Sequence, residues 1–252
     1  MKARLKTFYF FVGSLFFLRV RKISQIQDFI EFIKGPGVGK SLPKIYIRFR
    51  DLQKITRLMN KESVIEFGSG SSTLFFIFRK NICNKLITIE EDSLYLPKIR
   101  RTEIKYQPKI SKSKTGNFGG FIGTYFPQSS ELIDDATFIY VDGPVSPVLD
   151  NFPSVAPNLD TLVDVDLTGK IVVIDCRSLT VALLQRKLAD THYFLPSKSF
   201  LIEFPKIEFY LKDNYEIYAN KYFRIENDIL TRSNVFLPID KLDVKLNSFM
   251  VS

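Results

Sequence analysis

Four acidic residues, Glu66, Glu90, Asp142 and Asp175, each close an apolar run. The runs are Val64-Ile65, Leu86-Ile87-Thr88-Ile89, Thr137-Phe138-Ile139-Tyr140-Val141 and Lys170-Ile171-Val172-Val173-Ile174. Short runs of this kind read as buried strands. In open α/β sheets, ligands bind beyond the carboxyl ends of the strands. One such acid is an ordinary turn residue; four in succession point to a ligand site. The first is followed by Gly68-Ser69-Gly70-Ser71-Ser72-Thr73. The glycines permit a tight turn and a close approach of ligand to backbone. Ser71, Ser72 and Thr73 are helix N-cap types, and their N–H groups would face whatever sits above the turn. Glu90 follows Gly70 by 20 residues, the span of one helix and a return strand. A carboxylate there can accept from two adjacent ribose hydroxyls. A nucleotide-like ligand is the expectation.

The dinucleotide fingerprint G-x-G-x-x-G/A is broken, because Thr73 holds its last position. Glu66, two residues before the first glycine, also stands where dinucleotide sites commonly have an apolar residue. The combination Glu66-Phe67-Gly68-Ser69-Gly70 with Glu90 resembles the class I S-adenosylmethionine-dependent methyltransferases. The resemblance covers about residues 60 to 195. It implies S-adenosylmethionine as cofactor. Glu66, Gly68, Gly70 and Ser71 would line its methionine and ribose side, and Glu90 would hold the ribose hydroxyls. Ser71 stands where many members have a third glycine.

Methyl transfer from a sulfonium is an in-line displacement in which the protein supplies position and electrostatics. An oxygen or nitrogen acceptor needs a base, and Asp142 and Asp175 are the candidate catalytic residues. Arg177 is placed to grip an anionic substrate or to order the strand end. The two aspartates resemble metal-ligand positions of cation-dependent O-methyltransferases. Cys176, however, stands where those enzymes have Asn, and a thiol is a poor magnesium ligand. No metal is assigned. His192, the only histidine, reads as a strand residue at the sheet edge, since nothing local orients it as a base. Cys83 and Cys176 show no zinc spacing. Cys83 reads as a small buried residue at the end of the first helix of the nucleotide-binding unit, in a reducing compartment.

These residues require a doubly wound, Rossmann-like α/β sheet, mostly parallel, with helices on both faces. The expected organisation is a basic apolar segment and linker (1–40), the Rossmann-like domain (41–210) and a C-terminal appendage (211–252). A helix is expected near residues 44–59, a third strand over Glu103–Gln107 and a helix near 178–189. Lys112–Tyr125 holds four glycines and reads as a flap over the site or a β-hairpin. Pro144, Pro147, Pro153 and Pro157 confine the next crossover helix to a short, late segment. Residues 198–252 read as the last strands and the appendage. Lys34–Lys40 is a linker, because it lacks the spacing and preceding strand of a phosphate loop.

The net charge of +9 is unevenly placed: residues 1–61 hold 14 Lys/Arg against 3 Asp/Glu. Basic residues bracket the apolar stretch Thr7–Leu18. At the helical rise its length is about 18 Å, short of a hydrocarbon core of about 30 Å. It reads equally as a core helix and as a helix lying in a membrane interface through residues 1–22. Arg-Val-Arg-Lys follows it, which does not match a signal-peptide cleavage site. Charge bracketing an apolar run argues against nucleic acid as the partner. The expectation is a cytoplasmic methyltransferase, at the inner face of a membrane, modifying an oxygen of a small-molecule, glycan or lipid-linked acceptor. The alternative is a non-catalytic Rossmann-like scaffold in a membrane-associated assembly. A nicotinamide-dependent enzyme is disfavoured by Thr73 and Glu66.

Overall fold

A computed structural model describes residues 2–35, 42–56, 59–118, 121–127, 130–144, 162, 165–175, 177–198 and 230–241. The linker glycines Gly37 and Gly39, the proline-rich stretch from Pro147, Cys176 and most of the expected appendage lie outside them. The fold is α/β, with a seven-stranded, mostly parallel sheet.

The elements, in chain order, are α1 (Lys2–Leu18), α2 (Ile23–Lys34), α3 (Leu42–Ile55), β1 (Glu62–Phe67), α4 (Ser71–Ile77), β2 (Cys83–Glu90) and β3 (Lys105–Ile110). There follow β4 (Lys114–Phe118), β5 (Phe121–Tyr125), α5 (Ser130–Asp134), β6 (Phe138–Val141), β7 (Ile171–Asp175), α6 (Ser178–Leu188), β8 (His192–Leu195) and β9 (Ser233–Pro238). The strand order is β3-β2-β1-β6-β7-β9-β8. Up to β7 this is the order of a dinucleotide-binding sheet. Beyond it, β9 enters antiparallel between β7 and β8.

The chain divides into two compact units, residues 1–112 and 113–252. The boundary falls within the 41–210 span expected for one domain, and the 1–40 segment belongs to the first unit.

In the first unit, β1 pairs parallel with β2, and β2 with β3. The third strand begins later than expected, at Lys105, and runs through Pro108. A proline is tolerated because β3 is the sheet edge, where one side of the strand needs no ladder bonds. Cys83 opens β2 instead of closing a helix. It is a free thiol, and burial pushes its pKa up.

The three N-terminal helices pack by aromatic contact. Phe11 stacks on Phe29, Phe29 meets Phe49, and Phe49 meets Phe75, with centroids 5.7, 6.3 and 5.8 Å apart. One chain of rings thus joins α1, α2, α3 and α4. Tyr46 of α3 contacts Phe10 and Phe17 of α1 at 5.4 and 5.2 Å. Arg79, buried, adds a polar fastening. Its guanidinium donates to the Phe17 carbonyl at 3.1 Å and to Gln53 Oε1, and lies over the Phe75 ring at 4.7 Å. Burial, with Arg19 nearby, pulls its pKa down to about 10. The helix α1 ends because Arg19 turns left-handed (φ 52°). Arg19 N–H then bonds Phe16 O and Val20 N–H bonds Leu15 O, satisfying the last carbonyls.

In the second unit, the glycine-rich stretch after Lys112 is a hairpin, β4 paired antiparallel with β5. β6 runs parallel to β7. Asn234 of β9 locks the sheet: its Nδ2 donates to Ile174 O at 3.3 Å and its Oδ1 accepts from Ser197 N at 2.8 Å.

Gly13 lets α1 approach α3: a Cβ there would lie 2.6 Å from Cε2 of Tyr46. A Gly13→Leu substitution is expected to destabilise the protein by about 1–3 kcal/mol through overpacking. Thermal unfolding by circular dichroism checks this; an unchanged midpoint would mean that the helix contact carries no stability.

Candidate functional site

The turn after β1 is built on a buried carboxylate. Glu66 is fully buried beneath it. Its Oε1 accepts from Ser72 Oγ at 2.5 Å, and its Oε2 accepts from Thr73 Oγ1 at 2.7 Å and Thr88 Oγ1 at 2.9 Å. Register explains the last contact, since Glu66 pairs with Thr88 across β1 and β2. Glu66, expected to line the ligand, therefore organises the turn from below. Tyr106, on β3, has its phenol pKa raised by burial and by the Glu66 charge.

Thr73 is the hub. Its hydroxyl donates to Glu66 and accepts from Gly70 N–H at 2.9 Å, which satisfies one of the open amides at the start of α4. A glycine or alanine here, as the dinucleotide fingerprint requires, would make neither bond. Ser71 is buried at the first position of α4. Gly68 has φ 85°, a left-handed conformation that disfavours a side chain. Around Gly70 the space is open: a Cβ there would meet nothing within 4 Å.

Glu90 closes the site from the side. Its Oε2 accepts from Ser69 N–H at 2.6 Å, and its Oε1 accepts from Glu91 N–H at 2.7 Å and Asp92 N–H at 3.2 Å. Gly68 N–H bonds Ile89 O at 2.9 Å, so turn and strand end are welded together. A carboxylate offers about four lone-pair positions, so these amides leave room on Oε2 for a further donor. Beyond Glu90, Asp92 caps a short 3-10 turn, Ser93–Tyr95, by accepting from Leu94 N–H at 2.9 Å. Ser69 Oγ donates to Tyr95 O at 3.0 Å, fastening this turn to the glycine turn. Leu94 and Tyr95 are exposed. They offer an apolar surface next to the carboxylate, a feature missed in the sequence reading. Its signal in the sequence is the apolar pair Leu94-Tyr95 four residues after Glu90.

In the second unit, Val141 pairs with Ile174, so Asp142 and Asp175 follow at neighbouring strand ends. They differ in setting. Asp142 is partly exposed. Asp175 is buried, with Arg232 Nη2 3.6 Å from its Oδ2. The Arg177 guanidinium donates to the Asp142 carbonyl, tying the end of β6 to the start of α6. Of the two roles expected for Arg177, ordering the strand end is the one this contact performs. Among the described residues no group of three or more His, Cys, Asp or Glu stands close enough to hold a metal.

His192 lies buried on the edge strand β8. Its Nε2–H donates to Lys170 O at 2.9 Å, and Nδ1 accepts from Thr191 Oγ1 at 2.8 Å. Burial lowers its pKa. The neutral ring is a sheet fastener, as its sequence context indicated.

No protein-family model and no curated protein sequence matches the chain at a significant level.

Two outcomes are expected. Thr73→Val should cost about 2–3 kcal/mol, because it strips a donor from a buried carboxylate and orphans the Gly70 amide. Thr73→Ser should cost about 1 kcal/mol, the loss of one buried methyl. Urea denaturation of the two variants separates the hydroxyl from the packing. The second outcome concerns pH. The folded pKa of His192 lies below the unfolded value of about 6.5. Its contribution is therefore complete above that value and is lost as pH falls through it toward the folded value. The urea midpoint should fall in that window, and His192→Gln should flatten the slope; an identical slope in the variant would assign it to other groups.

Proposed function

We propose that this chain is an S-adenosylmethionine-dependent methyltransferase acting on an oxygen acceptor. The observation that carries the reading is the Gly68-Ser69-Gly70 turn, open above Gly70 and bonded through the Ser69 amide to the Glu90 carboxylate. Glu90 would hold the ribose hydroxyls of a nucleoside, Leu94 and Tyr95 would offer its base an apolar surface, and the glycine turn would leave room for its polar tail. The hub at Thr73 and the antiparallel β9 support a single nucleoside over a dinucleotide, whose sheet and turn follow a different pattern. When bound, the cofactor's sulfonium supplies the methyl group. The chain's own contribution is placement: Glu66 sets the turn, and Glu90 orients the ribose.

Of the two candidate bases, Asp142 suits proton removal better. Asp175 is buried, with Arg232 Nη2 3.6 Å from its Oδ2, so an acceptor reaches it less readily than the partly exposed Asp142. That burial also favours the second reading, a non-catalytic module that binds the cofactor without transfer. The acceptor class proposed is a small molecule or a glycan or lipid-linked compound.

Calorimetric titration with S-adenosylmethionine and with NAD tests the reading. Binding of the first alone is expected, and Glu90→Gln should weaken it on the order of tenfold by removing a charged acceptor. Binding without methyl transfer to any acceptor, in a screen with Asp142→Asn as control, would favour the non-catalytic module. Binding of neither ligand would remove the nucleoside reading.

A further inference from the structure

The helix α1 is apolar on two opposite sides. Phe11, Ser14 and Leu18 turn inward, and Phe10 and Phe17 meet Tyr46. On the other side, Leu5, Phe8, Val12 and Phe16 are 45–77% exposed, while Tyr9 at the margin of this face reaches Tyr46, its ring 5.8 Å and its hydroxyl 3.3 Å away. Their spacing is that of one face of a 3.6-residue helix. Ile23, just beyond the helix, is also exposed, at 76%. A contiguous apolar stripe of this size on a folded surface marks an interaction site.

We infer that this outer face of α1 docks in the interface of an anionic phospholipid bilayer. Charge selects this occupant. Arg4 and Lys6 are exposed and flank the stripe on its two sides, while Arg19 and Arg21 are exposed at its C-terminal end. Aromatic residues between cationic ones suit the headgroup region, where rings bury their apolar body and the cations meet lipid phosphate. A second copy is a poor occupant. A two-fold contact through the same face would bring these cations against their own copies, with no acidic residue on α1 to meet them.

Geometry fixes the mode of docking. At 17 residues α1 is about 26 Å long. No described helix is long and apolar enough to cross a membrane. The ring contacts with α2 and α3 and the Arg79 bond to Phe17 O hold α1 along its length. It therefore meets lipid side-on, with the first unit attached and folded. This inference does not depend on the methyl-transfer reading.

The test is sedimentation of the full chain with vesicles of phosphatidylcholine alone and of phosphatidylcholine mixed with phosphatidylserine. Binding to the mixed vesicles is expected, weakened by added salt. Phe8→Ser combined with Phe16→Ser should reduce it on the order of tenfold or more, with an unchanged thermal midpoint showing that the variant is folded. The chain has no tryptophan, so Phe16→Trp supplies a single reporter that keeps the face apolar. Its emission should shift to the blue on mixed vesicles and be quenched by brominated lipid. Absence of vesicle binding, or a reporter that does not respond, would overturn the inference. So would self-association in solution that the double variant abolishes, which would assign the face to a second copy.

Discussion

The first unit is organised around one buried charge. A carboxylate taken out of water costs several kcal/mol unless its lone pairs are met. Glu66 is met by hydroxyls from two directions, Ser72 and Thr73 on α4 and Thr88 on β2. Those bonds specify more than they stabilise. They fix where α4 begins and hold it against both strands. If Glu66 pointed elsewhere, the serines and threonine would have no reason to be buried, and the glycine turn would lose its floor. The Glu90 carboxylate then pins the turn from the side through the Ser69 amide.

The N-terminal helices follow a different logic. Their contacts are rings and one buried guanidinium. Arg79 retains its charge, because its pKa of about 10 is still far above neutral, and it is compensated by a carbonyl, an amide oxygen and a π face. Gly13 removes the side chain that would hold α1 away from Tyr46. The result is a helix held firmly along one side while its other side stays in contact with solvent.

Strand positions and the carboxylates at their ends were legible because a strand end in an α/β sheet is a local event: an apolar run, then a turn. The hairpin of β4 and β5 was one of two readings left by the glycines, which rule out a helix but not a choice between flap and ladder. The third strand starts two and ends three residues later than expected; Pro108 argues against a strand interior and so conceals its end. Only the position of β3 at the sheet edge makes it acceptable.

What the sequence by itself determined was the α/β class, the glycine turn between Glu66 and α4, and the placing of Glu90 at the end of the next strand. These depend on periodicity and on backbone freedom, which neighbours in sequence express directly. The tertiary structure alone decided that Glu66 faces inward to three hydroxyls, that Asp175 is closed off by Arg232, and that β9 enters antiparallel beside β7. It also gave α1 one side in the core and one side at the surface. Each of these depends on partners far away in sequence: burial and pairing belong to the folded chain, and a residue type does not state which partner it will meet.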